Sequence, residues 1–369
     1  MKALSFYAGP KAMQLLREHG LRAQDVAIVP AAAGGPKGLI FQALDQWLFG
    51  HWLPSAPRER TLIGSSIGAW RMAAACHADP AAAFARMGEL YCQETYGANP
   101  TAAEITLSCV KLLDNFIGGH EQEVVSHPFH RLHILTVRGR RLLRAPKRKL
   151  TAAAGFTFAT LDNLVSRAAL ARHLERVVIG DQRDPVFWLK ARFDSFTTHF
   201  APLQADNLGA ALLASATLPL VMDPVRALPH APPGAYWDGG LIDYHLALPY
   251  TRAAGGPGAG SAEGGLVLYP HFTSHIVPGW FDKTLPWRRA GLGKQRDWLD
   301  NVLLIAPSRE FLQTLSRGKL PDRHDFYYYG LDHDFRIQNW KLAISAGAHL
   351  REDFAAFVAA PDLHRIQPI

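Results

Sequence analysis

Short apolar runs bounded by glycine and proline recur along the chain, and stretches of helical spacing stand between them. Residues 26–29 read as a buried strand and 37–48 as the helix that follows. The same pair recurs at 61–63 and 69–77. Residues 132–137 form another strand, and Arg138-Gly139-Arg140 behind it reads as a hairpin turn. Over 161–174 the spacing predicts a helix with Leu161, Leu164, Val165, Ala168 and Ala171 along one face. Strands are predicted at 177–179 and 302–305, and helices at 207–214 and 344–358. Strand–helix alternation of this kind predicts an α/β fold with a mostly parallel sheet covered on both faces.

The chain has 369 residues, 48% of them hydrophobic and 19% charged, which suits a packed globular core. The stretch 253–265 holds six glycines, a proline and a serine and reads as a linker. It divides the chain into a main domain over 1–252 and an extension over 266–369 that packs on its core. The longest apolar stretch, 208–222, is interrupted by Ser215, Thr217 and Pro219 and is too short for a membrane span. The first residues break at Pro10-Lys11 before an apolar signal region forms. Cys76, Cys92 and Cys109 are odd in number and lack metal-ligand spacing, so free thiols in a reducing compartment are expected. The implied location is cytoplasmic, although a secreted effector without a cleavable signal would have the same sequence features.

Net charge is +7, with Arg131, Arg138, Arg140, Arg141, Arg144, Lys147, Arg148 and Lys149 in one stretch free of acids. Such a patch attracts phosphate, or simply keeps a loop solvated. Aromatics are absent over 132–149, so no platform for stacking bases exists and no nucleic-acid partner is expected. In 280–289, Trp280, Phe281 and Trp287 stand beside Arg288 and Arg289. This composition fits a lid or a membrane-contact element, or tryptophans packed on the core below solvated arginines. Peripheral membrane contact is expected through residues 131–149 and 280–289.

The chemistry centres on Gly64-Ser65-Ser66-Ile67-Gly68, which lies between the strand at 61–63 and the helix after it. Glycines two residues either side of Ser66 permit the sharp turn that exposes a nucleophilic hydroxyl. The following helix directs its first N–H groups, beginning with Ile67, toward any oxyanion formed there. Upstream, Gly34-Gly35-Pro36-Lys37-Gly38 follows a strand and opens a helix, a second source of N–H donors. Lys37 opposes the helix dipole at that place, which points to a local anion. Downstream, Tyr236-Trp237-Asp238-Gly239-Gly240 sets an acid between aromatics and glycines, where desolvation would raise its basicity.

In this order the three segments resemble the patatin-like phospholipase family: a glycine-rich oxyanion loop ending in Arg/Lys-Gly, then G-x-S-x-G, then D-G-G/A. Lys37-Gly38, Ser66 and Asp238 take the matching places, and residues 214–219 look like the family's A-S-x-x-x-P stretch. The resemblance spans about residues 25–250. It implies a three-layer α/β/α sandwich, a Ser–Asp dyad without histidine, and hydrolysis of lipid acyl esters without a cofactor. Where the family loop has three glycines preceded by an acid, this chain has Ala32-Ala33 before Gly34. A left-handed backbone at Ala33 would be strained. Two alternatives stay open. One is a Ser–Asp–His triad, since His245, His271 and His275 follow Asp238. The other is a non-catalytic acyl-lipid or membrane-surface binding protein on the same fold. His324-Asp325 and Asp332-His333-Asp334 have metal-compatible types but no ligand spacing, and no metal site is expected.

Overall fold

The computed structural model describes residues 2–255 and 265–369. Among these, ten strands form one sheet: β1 (Leu4–Ala8), β2 (Val26–Ala31), β3 (Arg60–Ser65), β4 (His130–Gly139), β5 (Leu174–Gly180), β6 (Thr198–Pro202), β7 (Tyr236–Trp237), β8 (Leu266–Pro270), β9 (Val302–Pro307) and β10 (Ile366–Pro368). Their order is β10-β1-β9-β8-β2-β3-β4-β5-β6, with β7 paired to β4. The block β9-β8-β2-β3-β4 is parallel throughout. Strand β1 runs against β9, and β5 runs against β4. The central strands are apolar at almost every position and buried on both faces, as expected of parallel strands flanked by helices. The mostly parallel sheet and its flanking helices make the three-layer α/β/α arrangement expected from the sequence.

Strands β8, β9 and β10 all come from residues 266–369, and two of them lie between β1 and β2. This segment therefore shares the sheet and core of residues 1–252. Of the glycine-rich stretch, residues 256–264 lie outside the described residues.

Three local expectations are corrected. Arg138-Gly139-Arg140 is not a hairpin turn. Arg138 and Gly139 pair with Glu175 and Leu174 in the ladder, and Arg138 Nη1 donates to Glu175 Oε2 at 2.6 Å. The chain instead enters the helix Lys149–Val165 before returning antiparallel as β5. The helix predicted over 161–174 stops at Ser166, whose extended backbone and hydroxyl cap the short turn Arg167–Leu170. Leu161, Leu164 and Val165 are exposed rather than core-facing. The helix predicted over 344–358 is two helices, His333–Ala346 and Ala348–Ala359, broken at Gly347 where the chain packs against the Ile40 carbonyl.

A buried ion pair ties β5 to the segment behind β7. Arg176 Nε and Nη2 donate to Asp243 Oδ2 and Oδ1 at 2.6 and 2.8 Å, and Asp194 shares the guanidinium. Removing Asp243 leaves the buried guanidinium with Asp194 as its one remaining carboxylate and with Nε unpaired. Asp243→Ala is expected to lower stability by about 3–5 kcal/mol, read from the urea midpoint. A midpoint equal to wild type would contradict this.

Candidate functional site

Strand β3 ends at Ser65 and the helix Ile67–Ala74 begins at the next residue but one, so Ser66 makes the whole turn. Its backbone adopts φ 56° and ψ −130°, a conformation that costs a side-chain-bearing residue about 1–3 kcal/mol. The turn closes only because its flanking residues lack side chains. A Cβ on Gly68 would stand 1.9 Å from the Ala31 carbonyl oxygen, and one on Gly64 would stand 2.5 Å from the Ala69 backbone. The Ser66 N–H donates to Ser215 Oγ at 2.8 Å, and that hydroxyl donates to the Leu135 carbonyl at 2.7 Å. One serine thus fastens the elbow to β4.

Asp238 reaches the same place along β4. Ser65, the last residue of β3, lies opposite Leu135. Strand β7 pairs with the same edge of β4 two residues further on, Trp237 opposite Val137. The other edge is occupied by β5 at that level. Residue 238 therefore follows directly beyond the end of β3. Its N–H and that of Gly239 donate to the carbonyls of Thr217 and Ser215 at 2.8 and 3.0 Å.

The Ser66 hydroxyl donates to Asp238 Oδ2 at 2.8 Å, and the Gly240 N–H donates to Oδ1 at 2.7 Å. Both side chains are buried. Burial pushes the Asp238 carboxyl above its ordinary value, opposed first by the Arg323 guanidinium and then by these hydrogen bonds and Lys283. Among the described residues no histidine bonds to either side chain. His245 and His271 lie with ring centroids 4.3 Å apart, and His245 Nδ1 accepts from the Val277 N–H. Burial pushes both imidazoles down, that of His271 to about 3.

Gly34-Gly35-Pro36-Lys37-Gly38 lies beside the elbow, within the turn Gly35–Phe41 and the residue before it. A Cβ on Gly38 would meet Ile67 Cγ1 at 3.2 Å, so the two stretches are in contact. The strain expected at Ala33 does not arise. The left-handed residue is Gly35, at φ 58°, and the Ala33 N–H is engaged with the Tyr244 carbonyl at 2.9 Å. Pro36 has no N–H and shapes the turn without donating. Ile67 is the first residue of its helix, so its N–H has no partner in the helical ladder.

Two residues facing this site carry no local motif: Arg323, whose Nη2 is 3.8 Å from Asp238 Oδ2, and Lys283. Their approach depends on the path of the segment beyond 265, which local spacing does not encode. The residues read as metal-compatible serve packing. Asp325 accepts from Arg317, Lys319 and the Trp340 indole, and Asp332 caps the helix His333–Ala346. Ligand atoms of His77, His120 and Glu123 lie within 4.8 Å of one another, near the far end of the helix that begins at Ile67.

A model of the patatin-like phospholipase family matches residues 56–249. The chain belongs to that family. Membership implies lipid acyl hydrolase activity. No curated protein sequence matches the chain. The patatin-like match contains Ser66, Ser215 and Asp238, begins after the turn Gly35–Phe41, and ends before Lys283 and Arg323.

In this patatin-like site Ser215 satisfies two buried backbone groups at once. Ser215→Ala leaves both unpaired and is expected to cost about 1–3 kcal/mol, measured by chemical denaturation. A variant as stable as wild type would show that the bridge is dispensable.

Proposed function

We propose that the chain hydrolyses lipid acyl esters through a dyad of Ser66 and Asp238. The observation that carries this reading is the buried 2.8 Å hydrogen bond from the Ser66 hydroxyl to the Asp238 carboxylate, with no imidazole between them. Asp238 takes the hydroxyl proton as Ser66 Oγ attacks the ester carbonyl carbon. The N–H groups of Ile67, Gly35 and neighbouring positions of the 34–38 turn receive the oxyanion. When the tetrahedral species collapses, the carbon–oxygen bond to the alcohol breaks and that oxygen takes the proton from Asp238. Water then gives a proton to Asp238 and adds to the acyl carbon. Ser66 recovers its proton as the fatty acid leaves. A raised carboxyl pKa suits this role, because a stronger base accepts the serine proton more readily.

The buried His245–His271 pair speaks against a triad, since neither ring bonds to Ser66 or Asp238 and the Nδ1 of each is engaged by backbone of the 273–277 segment. Ser66→Ala and Asp238→Asn are each expected to reduce hydrolysis of a p-nitrophenyl acyl ester by about 10⁴-fold or more. Asp238 is active only when deprotonated, so wild-type activity should fall on acidification at a pH above the ordinary carboxylate value of about 3.9. Full activity in either variant, or an acid limb at the ordinary value, would refute the dyad.

The enzyme docks on an anionic lipid surface through two neighbouring elements in this reading. Leu161, Leu164 and Val165 project from the helix Lys149–Val165, and Trp280 and Trp287 are 44% and 67% exposed. Arg288 donates to the Asn163 and Leu164 carbonyls, which holds the aromatic segment against that helix. Before and at the start of that helix Arg140, Arg141, Arg144, Lys147, Arg148 and Lys149 are exposed. Arg131 and Arg138, expected to join them, are instead engaged by Glu59 and Glu175. Among the described residues no helix is long and apolar enough to cross a membrane. Apolar surface beside cations favours the interface of acidic bilayers. Trp280→Ala with Trp287→Ala should weaken binding to phosphatidylserine-containing vesicles more than it slows a soluble ester. Unchanged vesicle affinity would overturn this.

A further inference from the structure

Three cations surround the buried dyad, and two of them have no counter-ion. Among the described residues the ammonium groups of Lys37 and Lys283 make no ion pair and no hydrogen bond. Each lies against an aromatic face instead. Lys37 Nζ is 5.4 Å from the Phe272 ring centre, and Lys283 Nζ is 4.1 Å from that of Tyr244 and 5.4 Å from that of Trp280. The third cation is Arg323, which reaches both halves of the site. Its Nη2 is 3.8 Å from Asp238 Oδ2, and its Nε is 3.0 Å from the position a Cβ on Gly35 would take. Burial lowers the Lys37 ammonium and Lys319 and Arg323 add to this, while burial with Lys37 and Arg323 brings that of Lys283 to about 7. The facing carboxylates do not balance them. Asp238 is held by Ser66 and Gly240, and Asp322 pairs with Lys319 at 3.0 Å.

Mutually repelling cations left unpaired around a reaction centre define a place for an anion. We propose that Arg323, Lys283 and Lys37 form an anion-binding collar that selects acyl esters carrying a phosphate or carboxylate close to the scissile bond. The inference rests on the acyl-hydrolase reading above and adds specificity-determining residues to it. All three lie outside the residues matched by the family model. Arg323 offers a planar fork suited to two anionic oxygens, while the lysines act as point charges on either side.

The test compares two water-soluble esters of one short acyl chain, one on glycerol 3-phosphate and one on glycerol. Wild type should favour the phosphate-bearing ester in kcat/KM by about 10-fold or more. Arg323→Gln and Lys283→Gln should each cut that preference by about 10- to 100-fold. The ratio is the readout because both esters use the same base, so any effect of Arg323 on Asp238 cancels. Arg323→Lys should restore part of the preference. A wild-type ratio near one, or a ratio unmoved by both substitutions, overturns the proposal. Inorganic phosphate inhibiting the glycerol ester without any preference for the phosphate ester would assign the collar to free phosphate and also overturn substrate selection. If neither ester is cleaved and a fluorophosphonate probe leaves Ser66 unlabelled, the acyl-hydrolase reading fails instead.

Discussion

Strand β4 extends beyond the end of β3, and the site depends on that overhang. Had the two strands ended together, no free backbone edge would remain for β7, and a residue 172 positions from Ser66 would have no defined place beside it. The overhang gives β7 two ladder positions on the edge that β3 has just vacated, and Thr136 Oγ1 adds a bond to the Trp237 carbonyl at 2.9 Å. Two residues of pairing are weak alone. The carbonyls of Ser215 and Thr217 add two more bonds from the other side, and the Arg176–Asp243 pair anchors the chain five residues later. Position is thus fixed by several modest interactions converging on one short stretch rather than by any single strong one.

The same crowding sets the electrostatics. Holding the Asp238 carboxylate out of water is unfavourable, and the Arg323 guanidinium, the Ser66 hydroxyl, the Gly240 N–H and Lys283 offset it only in part. A carboxyl so placed sits above its ordinary range, and in the proposed reaction, which begins by removing a hydroxyl proton, this is an advantage. The positive φ at Ser66 belongs to the same arrangement, since strain at the turn is what presents the hydroxyl to Asp238 rather than folding it back along the helix.

What the sequence made legible follows from the range of the forces involved. The elbow could be read because its constraint is local: Gly64 and Gly68 answer steric contacts within five residues or with the adjacent strand, and so leave a fixed spacing. Asp238 was legible through its glycines and aromatic neighbours together with the family resemblance, but its meeting with Ser66 is a property of strand order. The helix Lys149–Val165 shows the opposite case. Its apolar spacing was visible, yet spacing identifies a face and not what covers it, and Leu161, Leu164 and Val165 proved to be outside the core. Arg138-Gly139-Arg140 misled because glycine between charges resembles a turn, whereas Glu175 on the neighbouring strand neutralises the arginine and lets the ladder continue. Arg323 and Lys283 left no trace at all. Nothing in their surroundings in sequence reports that β8 and β9 enter the middle of the sheet and carry the following segments back over the site.

That insertion explains why charge collects where it does. The dyad and its elbow come from the stretch the family model covers, while the cations that face them come from before and after it. Backbone geometry and the proposed proton transfer are then determined by one part of the chain and the electrostatic surroundings by another. The steric demands at Gly64, Gly68 and Ser215 leave little freedom to alter the first part, because each contact there is backbone-tight or buried. The second part is freer: Arg323 retains 41% of its side-chain exposure, and Lys37 and Lys283 rest on ring faces rather than in fixed salt bridges. In a fold built this way, the charge of the group that the proposed collar accepts beside the ester can change with few substitutions and little cost to the sheet, whereas the position of Ser66 cannot.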